Sequence, residues 1–149
     1  MRKLRKITCL ILVAMMLLST SGIAHATYVE AEELHLPPWS DISSDVMPMG
    51  FPKNGIIPAK SYFYITEYYV TQGQTVLRVN SCTWSPQHPI AIGFYACNAS
   101  TTYGINFYGG YTNTYTIGTS SLPSGEYWIY VYNYGTGEIS FELNYDLIT

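Results

Sequence analysis

The feature that most constrains this chain is a period of two. Near its end Ile139, Phe141, Leu143 and Tyr145 alternate with Ser140, Glu142 and Asn144. Only a β-strand puts residues two apart on one face, so this stretch reads as a strand with one apolar face and one wet face. The same habit recurs upstream. Leu77 and Val79 oppose Arg78 and Asn80, and Ile90, Ile92 and Phe94 share a face. From Ser61 onward, short runs rich in Tyr, Val, Ile, Thr and Phe are separated by Gly, Asn, Ser and Pro clusters, the pattern of an all-β domain.

Strands are predicted at about Tyr62–Tyr69, Thr75–Asn80, Ile90–Ala96, Gly104–Tyr108, Thr112–Ile117, Tyr127–Tyr132 and Ile139–Tyr145. The turns between them have mechanisms. Gln72-Gly73-Gln74 and Gly109-Gly110 supply residues free to adopt positive φ. Pro123-Ser124-Gly125 suits a turn with Pro at its first corner, and Asn133 to Gly137 closes a hairpin. About seven strands over residues 61–149 can bury a modest core, and two packed antiparallel sheets are the natural way to do it. The expected fold is therefore an antiparallel two-sheet sandwich, jelly-roll-like.

The chain ahead of that domain divides into two parts. Arg2, Lys3, Arg5 and Lys6 precede an apolar run from Ile7 to Leu18, and Ala24-His25-Ala26 is a small-x-small site. A cationic start, an apolar core too short to span a bilayer and such a site form an export signal with cleavage after Ala26. Residues 1–26 are thus expected to leave, and the product to be secreted with no stable membrane anchor. Residues 27–60 show little periodicity and hold Pro37, Pro38, Pro48, Pro52 and Pro58. They read as an irregular arm, draped or flexible, unfit for a helix of any length or a central strand. Glu30 to Leu36 alone has the composition for about two helical turns.

Loss of the signal takes four of the seven basic residues. Lys53, Lys60 and Arg78 remain against ten acidic residues, a net charge of −7. Nucleic acid is excluded as a partner because no basic patch exists to displace its counterions. Catalytic signatures are missing too. His35 and His88 are the only mature histidines and form no zinc-binding pattern, no G-x-S-x-G elbow occurs, and Asp41 and Asp45 lack calcium-loop spacing. No metal, no cofactor and no catalytic activity are expected.

The segment from about residue 73 to 147 resembles the bacterial secreted pre-peptidase C-terminal domains. The residues that carry the resemblance are Gly73-Gln-Thr-Val-Leu-Arg-Val, Ile92-Gly-Phe-Tyr, Leu122-Pro-Ser-Gly-Glu-Tyr-Trp-Ile-Tyr-Val and Ile139-Ser-Phe-Glu-Leu-Asn-Tyr. The resemblance implies a jelly-roll-like sandwich with an accessory or binding role, since such domains usually trail a secreted hydrolase. This chain departs from that plan in having no catalytic domain ahead of the segment and no acidic clusters of the kind that bind calcium.

Two further expectations concern side chains. Cys82 and Cys97, the only mature thiols, form an even pair in an exported chain, which favours a disulfide contributing about 3 kcal/mol. In a plain hairpin they would sit roughly 20 Å apart, so the bond requires Thr83–Pro89 to run back along the domain. The strand Tyr127–Tyr132 places Tyr127, Ile129 and Val131 on one face and Trp128, Tyr130 and Tyr132 on the other. If the first set faces the core, the second presents three rings outside, unless the strand is central and covered on both faces or the arm lies over it. With three tryptophans and fifteen tyrosines among few charges, the leading expectation is a non-catalytic module binding a glycan or cell-surface component. Trp128, Tyr130 and Tyr132, with Trp84 in the long loop Thr83–Pro89, are its candidate contacts. The alternative is an extracellular structural or interaction protein acting through protein partners or self-association, since few lysines guard its strand edges. A secreted toxin or inhibitor also stays open. Oligomeric state is left undetermined by the sequence.

Overall fold

A computed structural model describes residues 26–38 and 53–149. Residues 1–25, which include most of the expected export signal with Cys9 and His25, lie outside the described residues, as do 39–52 with Trp39, Asp41 and Asp45. Eleven strands and no helix are described: β1 (Thr27–Glu30), β2 (Glu32–Leu34), β3 (Lys53–Ile57), β4 (Tyr62–Val70), β5 (Val76–Ser85), β6 (Ile90–Ala96), β7 (Thr102–Phe107), β8 (Tyr111–Thr112), β9 (Tyr115–Gly118), β10 (Gly125–Asn133) and β11 (Ile139–Ile148).

The strands make two sheets packed face to face. Sheet A has the order β1-β9-β5-β11-β3, with β8 also on β5, and sheet B has the order β2-β7-β6-β10-β4. Pairing is antiparallel except where β1 runs parallel to β9. The chain changes sheet at most connections, and the two sheets together form a β-sandwich. Leu77, Val79 and Trp84 of β5 and Ile139, Phe141, Leu143 and Tyr145 of β11 meet Ile90, Ile92 and Phe94 of β6 and Tyr127, Ile129 and Val131 of β10 in the main core. Trp84 apart, which the sequence reading placed in a loop, these are residues that the alternation groups on shared faces.

Three differences from the sequence reading have physical causes. First, the irregular arm of residues 27–60 supplies β1, β2 and β3, and Glu32–Leu34 is strand rather than helix. All three are edge strands, which need a hydrogen-bonding neighbour on one side only and so tolerate flanking prolines such as Pro37 and Pro58. Second, the stretch Thr112–Ile117 is two strands. Asn113 and Thr114 break the pairing, and the Thr114 hydroxyl donates to the Asn80 carbonyl at 3.4 Å. Third, Cys82 and Cys97 are both free thiols. β5 and β6 lie in different sheets, and Cys82 sits near the turn that joins them while Cys97 lies past the far end of β6. Cys82 is buried on the core side of sheet A, whereas Cys97 is exposed with its Sγ 4.0 Å from Glu67 Oε1. The segment 83–89 does not run back to close that gap; it extends β5 to Ser85 and turns.

Candidate functional site

The rings expected to form a platform are sorted by the position of their strands. β10 lies between β6 and β4, the second strand in from the edge of sheet B. Its inner residues Tyr127, Ile129 and Val131 enter the main core, as the alternation requires. Its outer residues do not reach solvent as a row. Tyr130 and Tyr132 are 0 % and 1 % exposed, and only Trp128 is half-buried.

The cover comes from both sides of the strand and from the arm. Tyr62 of β4 packs against Tyr132 at 4.7 Å and edge-on to Tyr130 at 5.4 Å between ring centroids, and Tyr95 of β6 completes the group. Leu34 and Leu36 then lie over the cluster, and the Tyr62 hydroxyl donates to the Pro37 carbonyl at 2.8 Å. The chain leaving β2 thus acts as a strap across the outer face of sheet B. Burial among other phenols pushes the Tyr62 and Tyr130 hydroxyls well above the ordinary tyrosine value, so they stay neutral. Trp84 is not an exposed ring either. It faces inward from β5, 4 % exposed, with its indole N–H donated to the His88 carbonyl at 2.7 Å. Of the four candidate contacts, Tyr130, Tyr132 and Trp84 are therefore core residues, and the half-buried Trp128 packs against the same tyrosine cluster, edge-on to Tyr64 at 5.9 Å.

Open hydrogen-bonding chemistry lies on the other side of the molecule, on the outer face of sheet A. Side chains directly opposite in a ladder share a face. By that rule Asn54 of β3, Glu142 of β11, Thr83 of β5 and Tyr111 of β8 form one row across four strands. Ile56, Ser140 and Ser85 form the next row. Between these rows is a shallow groove of about 300 Å³ lined by Asn54, Thr83, Ser85, Ser140 and Glu142, with Trp84 and Phe141 at the intervening positions. All five polar residues are exposed. Among the described residues the side chains of Asn54, Thr83, Ser85 and Glu142 hold no hydrogen bond within the protein, whereas the Ser140 hydroxyl reaches the Ser85 carbonyl at 3.4 Å.

Tyr111 borders the groove on the β5 side and is 52 % exposed. Its hydroxyl donates to the Asn113 side-chain oxygen, which fixes the ring's direction. Gly109 and Gly110, both at positive φ (89° and 79°), make the turn that brings the chain back to β5, and the Trp84 N–H donates to the Gly110 carbonyl at 2.9 Å. The wet face of β11 is evident from Ser140, Glu142 and Asn144 alone. The sequence does not show that Asn54, from the arm, and Tyr111, from a two-residue strand, stand beside that face, because pairing register is a long-range property.

The arrangement offers one carboxylate, one amide and three hydroxyls beside an aromatic ring. It can accept and donate hydrogen bonds, but Glu142 has no second carboxylate facing it across the groove for paired acid–base work. No group of three His, Cys, Asp or Glu among the described residues is placed to hold a metal ion. Burial pushes the Cys82 thiol up to about 12, and burial followed by the Glu67 and Glu126 charges raises that of Cys97. A comparison of the chain with family models, curated proteins and solved structures finds no match.

Proposed function

We propose that this protein is an exported, non-catalytic module that binds a glycan or cell-surface component through the outer face of sheet A. The observation that carries this reading is the groove bounded by Asn54, Thr83, Ser85 and Glu142, whose hydrogen-bonding atoms are exposed and unengaged beside the exposed Tyr111 ring. Sugars are recognised by such a combination, a ring for the apolar face of a pyranose and several polar groups for its hydroxyls. Export is supported by the cationic start, apolar run and Ala26 site at the N-terminus. An accessory role agrees with what the resemblance to pre-peptidase C-terminal domains implies.

Glycan-array binding of the purified protein tests this proposal. Binding is expected, lost in a Tyr111→Ala/Glu142→Ala double variant and kept in Trp128→Ala. Absence of binding to any glycan, or loss confined to Trp128→Ala, overturns it.

One observation favours a second function, association with another protein chain. β4 is a nine-residue edge strand with no Lys, Arg or Pro, while the other edges, β1, β2 and β3, have four, three and five residues. Long unguarded edges invite strand addition. Sedimentation velocity across a hundredfold concentration range separates the two: a rising mass supports association, a constant monomer does not.

A further inference from the structure

The ligand class is constrained by the shape and charge of the same face. We infer that the groove takes a neutral, unbranched, β-linked glycan laid across the strands, from Tyr111 on β8 to Asn54 on β3. This specificity rests on the proposal that the face binds glycans at all.

Direction comes first. The row Tyr111, Thr83, Glu142, Asn54 runs perpendicular to the strands over three strand spacings, about 14 Å, which is the reach of a short run of pyranose rings. Ring and polar groups are therefore spread along a line and not gathered around one point. A monosaccharide would use only a fraction of them. Ile56, 61 % exposed and opposite Ser140, adds apolar surface at the β3 end.

Flatness comes second. The floor is a sheet surface and the polar residues stand on it as neighbours in register, so the groove has no deep wall. A chain of equatorially linked pyranoses is a flat ribbon and lies on such a floor. An axially linked chain coils away from it, and a branched one meets the sheet at a single residue.

Charge comes third. Glu142 is the one charged group in the groove, and Asp146 and, through the register of β1 on β9, Glu30 lie on the same face, against Arg78 opposite Asp146. Polyuronic or sulfated chains are repelled. For a neutral ligand the Glu142 carboxylate accepts hydroxyl protons, a charge-assisted bond stronger than a neutral one. Asn54, Thr83 and Ser85 both donate and accept, which matches vicinal hydroxyls. The Tyr111 ring, already tethered through its hydroxyl to Asn113, loses little freedom on stacking.

Calorimetric titration of the purified protein with cello-oligosaccharides of increasing length tests this, with oligogalacturonate and oligoglucosamine as charged probes and malto-oligosaccharides as the coiled one. Affinity should rise from cellobiose to the longer members and then level off. Tyr111→Ala and Glu142→Gln should each weaken it about tenfold, the loss of one good contact, and added salt should have little effect. Preference for oligoglucosamine with strong salt dependence overturns the neutral ligand, and equal binding of malto-oligosaccharides overturns the flat ribbon. If the array shows glycan binding but none of these probes binds, the specificity fails while the glycan module stands. If the array shows no binding, both fail together.

Discussion

Asn133 is buried at the end of β10 and its side chain holds three backbone segments together. The amide nitrogen faces the carbonyls of Ile57 (3.2 Å), Pro58 (3.1 Å) and Gly137 (2.8 Å), and the amide oxygen accepts the Gly135 N–H at 2.8 Å. It thus pins the exit of β3 and the β10–β11 hairpin to the same point. Asn133→Ala should cost about 2–3 kcal/mol, because the apolar replacement leaves carbonyls and an N–H buried with no partner. Asn133→Asp should be at least as damaging, since a carboxylate cannot donate to the three carbonyls. Urea unfolding curves measure both, and a loss below about 1 kcal/mol would show that water takes over the site. The sequence marks Asn133 as the start of a glycine-closed turn. It does not reveal that the side chain is an inward clamp, because the partners at Ile57 and Pro58 are some seventy-five residues away.

Elements were legible in proportion to how local their cause is. β6 has the bounds Ile90–Ala96 that its apolar run implies, and β11 follows from alternation alone. The faces of β10 were also correctly divided, but which outer rings meet solvent depends on neighbours that alternation does not name. Those neighbours are β4, β6 and the strap at Leu34 and Leu36. The arm failed to read as strand because β1 and β2 are too short to show a period. β1 is instead fastened by side chains. Tyr28 donates to Glu30 Oε1 at 2.7 Å, and the Ser120 N–H and hydroxyl donate to the same carboxylate at 3.0 and 3.1 Å. The Tyr28 hydroxyl, then the Ser120 donors, outweigh burial and hold the Glu30 carboxyl below its ordinary value. A carboxyl whose folded-state pKa is depressed adds stability above its unfolded value, near 4.5, and that stability disappears as pH falls through the folded value. The melting temperature of the native protein should therefore exceed that of Glu30→Gln at neutral pH, and the two should converge towards pH 3. A gap of equal size at both ends would assign the effect to packing. The size should be small, since the group is largely in water.

At the scale of the molecule the two sheets differ in how many faces they bury. Sheet A has the core on one side and water on the other. Sheet B has the core on one side and a second apolar cluster, Tyr62, Tyr95, Tyr130 and Tyr132 under Leu34 and Leu36, on the other. The open polar face is thus that of sheet A, and the aromatic abundance that first suggests a ligand platform is spent largely on a third layer over sheet B. This layering also sets the response to base. Tyr62, Tyr64, Tyr130, Tyr132 and Tyr134 are all raised, with burial the largest cause, and neighbouring tyrosines add to it at all of them except Tyr132. In the unfolded chain each phenol ionises near about 10. Above that pH the unfolded state has lost protons that the folded state keeps, so stability falls as pH rises, while below it the contribution is intact. Alkaline unfolding should be cooperative, with the cluster's phenolate absorbance appearing together with the loss of near-UV circular dichroism. Tyr130→Phe gives up only a 3.4 Å bond to the Tyr103 carbonyl and removes one ionising group. It should shift the alkaline midpoint upward. Phenolate absorbance from the cluster that grows while the tertiary signal persists would mean that hydroxide reaches these rings in the folded state, and the strap would then be no seal.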